Sequence, residues 1–112
     1  MKEITWQELN SWQQDAYALI DIRDEGLRTY GMIPGAIPVD PDADGEEGAD
    51  RIAAIPKEKK LVFYCEIGRR TREFDEDDFE GRDCYSLEGG YLGYVRSGLT
   101  EGKEAADKQQ KA

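Results

Sequence analysis

The chain has 112 residues, 38% of them hydrophobic, which suffices for one modest core and one domain. A net charge of −10 and a pI of about 4.5 repel nucleic acid and anionic membrane surfaces, so neither is expected as a partner. Two cysteines make no disulfide scaffold, and the absence of histidine removes Ser-His-Asp and Cys-His catalysis and imidazole-ligated metal sites. Any chemistry then rests on cysteine, carboxylate, arginine, lysine or tyrosine, with no metal or cofactor expected.

No apolar run approaches the roughly 20 residues of a membrane span, and no apolar segment after Met1-Lys2-Glu3 reads as a signal peptide. A cytoplasmic, monomeric protein with free thiols is the expectation. Thr5-Trp6-Gln7-Glu8 has capping-box spacing, and Leu9, Trp12 and Gln13 extend an amphipathic turn, predicting a helix from about 6 to 14. Ala18-Leu19-Ile20-Asp21-Ile22 is a continuous apolar run, as in a parallel strand buried on both faces. A short helix is expected over 24–30. Ile33-Pro34-Gly35-Ala36 then leads into Ile37-Pro38-Val39, a short strand made irregular or peripheral by Pro34 and Pro38, which cannot donate to a ladder.

Residues 40–50 carry six acids and read as a solvated loop before a helix near 48–54. Leu61-Val62-Phe63-Tyr64 is the most convincing buried strand in the chain. A helix is expected over Thr71 to Phe79, with only Phe74 and Phe79 facing inward. Tyr85-Ser86-Leu87 reads as a further strand, Gly89-Gly90 as a tight turn and Tyr91 to Val95 as a closing helix. The domain spans residues 1–100, and the tail from Glu101 to Ala112, without an apolar stripe, is expected to be frayed. Strands alternating with short helices predict an α/β domain with a central, mostly parallel sheet. Ligands of such sheets bind at the carboxyl ends of the strands.

That edge receives Cys65, followed by a loop with Gly68, Arg69 and Arg70 and then a helix. A thiol has an ordinary pKa of about 8.5–9, and arginines with backbone N–H groups at a helix N-terminus stabilise its anion. Cys65 is therefore a candidate thiolate nucleophile, and the same donors suit an anionic substrate. Asp21 and Arg23, at the end of the first long strand, reach the same edge and are expected to form an ion pair or to brace the loops beneath it rather than to touch substrate. Cys84 is read as a core thiol rather than a resolving cysteine. Trp6, Trp12, Tyr17 and Tyr94 are read as packing residues.

Four segments in order, Leu19-Ile20-Asp21-Ile22-Arg23, Gly31-Met32-Ile33-Pro34-Gly35-Ala36, Cys65-Glu66-Ile67-Gly68-Arg69-Arg70-Thr71 and Leu87-Glu88-Gly89-Gly90, resemble the successive signatures of rhodanese-like domains. The resemblance covers most of residues 4–98. It implies a three-layer domain with a five-stranded parallel sheet flanked by helices, and sulfur transfer through a cysteine persulfide on Cys65. The implied partners are a small sulfur donor such as thiosulfate, or a persulfide-bearing protein, and a thiol or cyanide acceptor. Backbone N–H groups of Glu66, Ile67, Gly68, Arg69, Arg70 and Thr71 are expected to cradle the persulfide, with Gly68 letting the backbone curl.

Cysteine-dependent phosphatases and arsenate reductases use a longer loop, with roughly five residues between cysteine and arginine, to grip three oxyanion oxygens. Four residues separate Cys65 from Arg70, Thr71 stands where the longer loop would have its arginine, and Tyr64 replaces the histidine common before the phosphatase cysteine. A regulatory or protein-binding module is the other alternative, since fold does not settle activity. Three positions depart from the family pattern. Met32 stands in place of the usual histidine, the segment after Cys65 is about two residues short and acidic, and Glu66 puts a carboxylate into the anion-binding loop. The last predicts that thiosulfate is a poor donor and that a persulfide is preferred.

Overall fold

The computed structural model describes residues 1–97. The expected tail, 101–112, lies outside the described residues. Five parallel strands form one sheet: β1 (Lys2–Ile4), β2 (Tyr17–Asp21), β3 (Ile37–Pro38), β4 (Lys60–Tyr64) and β5 (Cys84–Leu87), in the order β1-β5-β4-β2-β3. The register aligns Leu19 with Val62 and Ile20 with Phe63 across β2 and β4, and Phe63 with Ser86 across β4 and β5. Helices α1 (Trp6–Asn10), α2 (Glu25–Arg28), α3 (Gly45–Ala53) and α4 (Arg69–Arg72) connect them, and residues 90–97 are helical, forming α5.

β4 is apolar on both faces because both are covered. Leu61, Phe63 and Cys65 join Ile20, Ile22, Val39, Ile55 and Cys84 in one core, while Val62 and Tyr64 join Ile4, Leu9, Leu19, Ile33 and Leu87 in the other. Two cores on opposite faces of one parallel sheet make the three-layer arrangement. β3 is a two-residue edge strand, in keeping with Pro38 within it and Pro34 just before it. β1, the opposite edge, has no expectation from the sequence. It is three residues long with only Ile4 buried, too short for an alternating pattern to register.

Three helices differ from expectation. The Thr5 capping box is formed, but α1 stops at Asn10, where the Ser11 hydroxyl donates to the Glu8 carbonyl (2.6 Å), and a 3-10 turn over Gln14–Ala16 follows. α3 begins at Gly45 rather than near 48, placing Glu46 and Glu47 in its first turn where the helix dipole favours acids. The helix expected over 71–79 breaks in two. α4 ends at Arg72, Asp75 is extended, and its carboxylate caps a new 3-10 turn, Glu76–Phe79, by accepting from Asp77 N (2.9 Å). The acids thus cap a short turn instead of lining a helix. Phe74 and Phe79 do face inward, their ring centroids 5.7 and 4.6 Å from that of Phe63.

Candidate active site

Cys65 follows the last residue of β4, at the carboxyl edge of the sheet, and is 7% exposed. Gly68 turns the chain into α4 with φ of 86°, a left-handed conformation that L side chains rarely adopt. That turn aims the Gly68 N–H at Cys65 Sγ, 3.2 Å away. Burial pushes the Cys65 thiol up. The backbone N–H groups of Thr71, Arg70 and Gly68 and the Thr71 hydroxyl (3.8 Å) outweigh it, so its pKa falls below the ordinary value. A thiolate only accepts hydrogen bonds, so the ionised sulfur accepts one from the Thr71 hydroxyl, and Thr71 accepts in turn from the buried Ser86 hydroxyl, 2.6 Å off.

The cradle rests on the turn after β5. Tyr91 N donates to the Cys65 carbonyl (2.8 Å) and Leu92 N to that of Glu66 (3.0 Å). A Cβ at Gly68 would lie 2.9 Å from Gly89 N, and one at Gly90 only 2.4 Å from the Cys65 carbonyl oxygen. Gly90 is therefore held to glycine by the Cys65–Glu66 backbone that presses against it, whereas Gly89 takes a φ of 80° and faces Gly93.

Beneath the loop, Asp21 and Arg23 form a buried ion pair, Arg23 Nη2 to Asp21 Oδ2 at 2.8 Å. The Tyr64 hydroxyl donates to Asp21 Oδ2 (2.7 Å) and accepts from Ile33 N (3.1 Å), which ties β4 to the segment before β3. Burial, and then the bond to Asp21, push the Tyr64 pKa well up, so it remains a neutral donor. Arg23 also donates to the Gly31 carbonyl (2.6 Å) and to Glu66 Oε1 (3.2 Å), and its guanidinium lies 4.0 Å from the centroid of the Tyr91 ring. Glu66 is thus drawn sideways onto Arg23.

The structure brings Cys65, Gly68, Arg70 and Thr71 together through backbone N–H groups. The Arg70 guanidinium reaches outward to Asp42 Oδ2 (3.3 Å), and Ile67 is 49% exposed on the loop. Arg69 is exposed as well. A cavity of about 270 Å³ over Cys65 is lined by Arg23, Glu66, Ile67, Arg69, Arg70 and Asp42, among others. A larger one, about 480 Å³, lies among Phe63, Phe74 and Phe79 and is lined by no cysteine. Cys84 is fully buried, and burial pushes its thiol up to about 11. Ser86, Tyr64 and Asp42 are site residues that the sequence reading did not assign. Ser86 follows Cys84 at the two-residue period of a strand, but its partner becomes visible only once β5 is laid beside β4. Among the described residues, no His/Cys/Asp/Glu cluster suits a metal ion, and no helix is long and apolar enough to cross a membrane.

A five-stranded parallel sheet with a cysteine at its carboxyl edge, beside main-chain donors, defines an α/β domain of three layers. The sequence matches the rhodanese-like domain over residues 5–97, and the chain belongs to that family. Solved structures agree in fold. A rhodanese-related protein from Thermoplasma volcanium superposes with a TM-score of 0.70 at 20% identity, covering 88% of this chain and 94% of that one. The human single-domain sulfurtransferase gives 0.67 at 19% identity, covering 86% and 96%. The reduced CoADR-RHD protein of Bacillus anthracis gives 0.66 at 25% identity over 90% of this chain, which spans 17% of that protein's length. No match is found among curated proteins.

Proposed function

We propose that the protein is a sulfurtransferase that carries sulfane sulfur as a persulfide on Cys65. The thiolate attacks the outer sulfur of a donor, either thiosulfate or a persulfide. The donor's S–S bond breaks, its electron pair leaves on sulfite or on the donor thiolate, and Cys65 holds the transferred sulfur. An acceptor thiolate or cyanide then attacks that sulfur and returns Cys65 as a thiolate. No external oxidant, metal or cofactor enters, and no general base is needed where the nucleophile is already ionised.

One observation carries the reading: the Gly68 N–H (3.2 Å) and the Thr71 hydroxyl (3.8 Å) meet at one sulfur atom, and the N–H groups of Arg70 and Thr71 add to their effect in lowering its pKa. These donors are fixed before the reaction and persist for the persulfide anion, which is electrostatic preorganisation. The Arg70 guanidinium, turned toward Asp42, is placed poorly to grip the oxygens of a phosphate, which weighs against the phosphatase alternative. The test is mass spectrometry after incubation with a sulfur donor. A gain of about 32 Da confined to Cys65, removed by a thiol acceptor and absent in Cys65→Ser, is expected. No adduct with any donor would leave the domain as a binding module.

A further inference from the structure

The charges lining the cavity are largely paired with one another, and that pairing decides what a donor meets. Arg23 is shared by two carboxylates, Asp21 at 2.8 Å and Glu66 at 3.2 Å, so one negative charge of that trio is not cancelled. Arg70 is paired with Asp42 at 3.3 Å. Asp24 and Asp40 also line the cavity and accept the backbone N–H groups of Leu27 and Asp42, and Arg69 is the remaining guanidinium on the lining. Counted with Asp21, five carboxylates surround three guanidinium groups before the thiolate adds its own charge.

We propose that this arrangement makes the site select sulfur donors with a positive charge a short chain away from the transferred sulfur, aminoalkyl persulfides being the chemical class, with Glu66 as the specificity-determining residue. The inference rests on the sulfurtransferase reading above. A thiosulfate dianion brings two negative charges toward a thiolate already beside Glu66, and like charges brought together are costly. An ammonium group is attracted by the same carboxylate at distances well inside the Debye length of about 10 Å in 0.1 M salt. Glu66 is two-thirds shielded from solvent, so bulk water weakens its field less than that of a surface carboxylate. A cavity of about 270 Å³ suits a donor of a few heavy atoms.

The step balances without a co-reactant. The Cys65 thiolate attacks the outer sulfur of the aminoalkyl persulfide, the S–S bond to the inner sulfur breaks, and the electron pair departs with the aminoalkyl thiolate. The proton of the terminal S–H first stays on the transferred sulfur and is then released to solvent, leaving Cys65 as the persulfide anion.

Persulfides of cysteamine, 2-mercaptoethanol and 3-mercaptopropionate form a cationic, neutral and anionic series of similar length, to be compared with thiosulfate. For each, kcat/KM for loading Cys65 is divided by the rate of the same donor with a small neutral thiol, which corrects for the leaving group. At low ionic strength the cationic donor is expected to exceed the anionic one by about tenfold, the gap closing in about 1 M salt. Glu66→Gln is expected to shrink that ratio about threefold or more, and Asp42→Asn serves the same purpose if the first variant does not fold. Equal corrected rates, a preference for thiosulfate, or a ratio indifferent to both salt and Glu66 overturns the inference alone. A Cys65 that takes sulfur from none of the four overturns the sulfurtransferase reading and the inference with it.

Discussion

The Ser86 hydroxyl lies 2.6 Å from that of Thr71, which in turn lies 3.8 Å from Cys65 Sγ, so a two-hydroxyl chain runs from β5 to the Cys65 sulfur. Both hydroxyl residues are fully buried, and within the protein such a chain is polarised cooperatively.

Thr71→Val removes the side-chain donor while keeping the shape, and leaves Ser86 without its partner. The Cys65 pKa is expected to rise by about one unit, since a hydrogen bond to a charged group contributes about 1.5–3 kcal/mol and a unit is 1.36 kcal/mol. Ser86→Ala, which acts through Thr71, should raise it by less. The rate of iodoacetamide alkylation against pH reads the shift directly. An unmoved midpoint in Thr71→Val would mean that the main-chain N–H groups alone hold the thiolate.

Gly90 is the tightest contact on the loop. An alanine Cβ there meets the Cys65 carbonyl oxygen at 2.4 Å and the Glu66 carbonyl carbon at 2.8 Å, on a backbone of φ 58°. Gly35 has φ of 83° but no atom within 4 Å of a built Cβ, so it isolates the backbone cost. Gly35→Ala is expected to cost about 1 kcal/mol. Gly90→Ala is expected to cost about 3 kcal/mol or more, because backbone must move. Urea denaturation of the two variants supplies the comparison. Equal losses would mean that the 88–90 turn yields without disturbing the cradle.

Much of the architecture was legible because each face of the sheet leaves its mark on sequence. β2 and β4 are continuous apolar runs that ended within a residue of expectation, and the edge position of β3 followed from two prolines. The misses were local hydrogen-bond decisions. Ser11 ends α1 through its own hydroxyl, and Asp75 recaps the chain after α4, both competitions between side chain and backbone that periodicity does not register. At the site, Cys65 and the Asp21–Arg23 pair were readable from position along the strands. Ser86 and Asp42 were not, because each meets its partner across the fold, 15 and 28 residues away in the chain.

The two cysteines respond to pH in opposite senses, which gives a stability prediction. Cys84 is fully buried, with a folded pKa of about 11 against an ordinary 9.0. Between these values the unfolded chain has lost the proton that the folded protein keeps, so stability falls as pH rises through that interval. The limit is about 2.7 kcal/mol by pH 11, at 1.36 kcal/mol for each of two pH units. Cys65 has its folded pKa lowered, so its contribution grows as pH rises through the folded value and is complete above 9.0. Cys84→Ala carries a cavity cost that does not depend on pH, so denaturation curves for parent and variant should converge from pH 8 to pH 11. Subtracting one from the other cancels the tyrosines and lysines that titrate in the same range. A constant difference would show that the Cys84 thiol reaches solvent when ionised, and a widening one would reverse the sign of its shift.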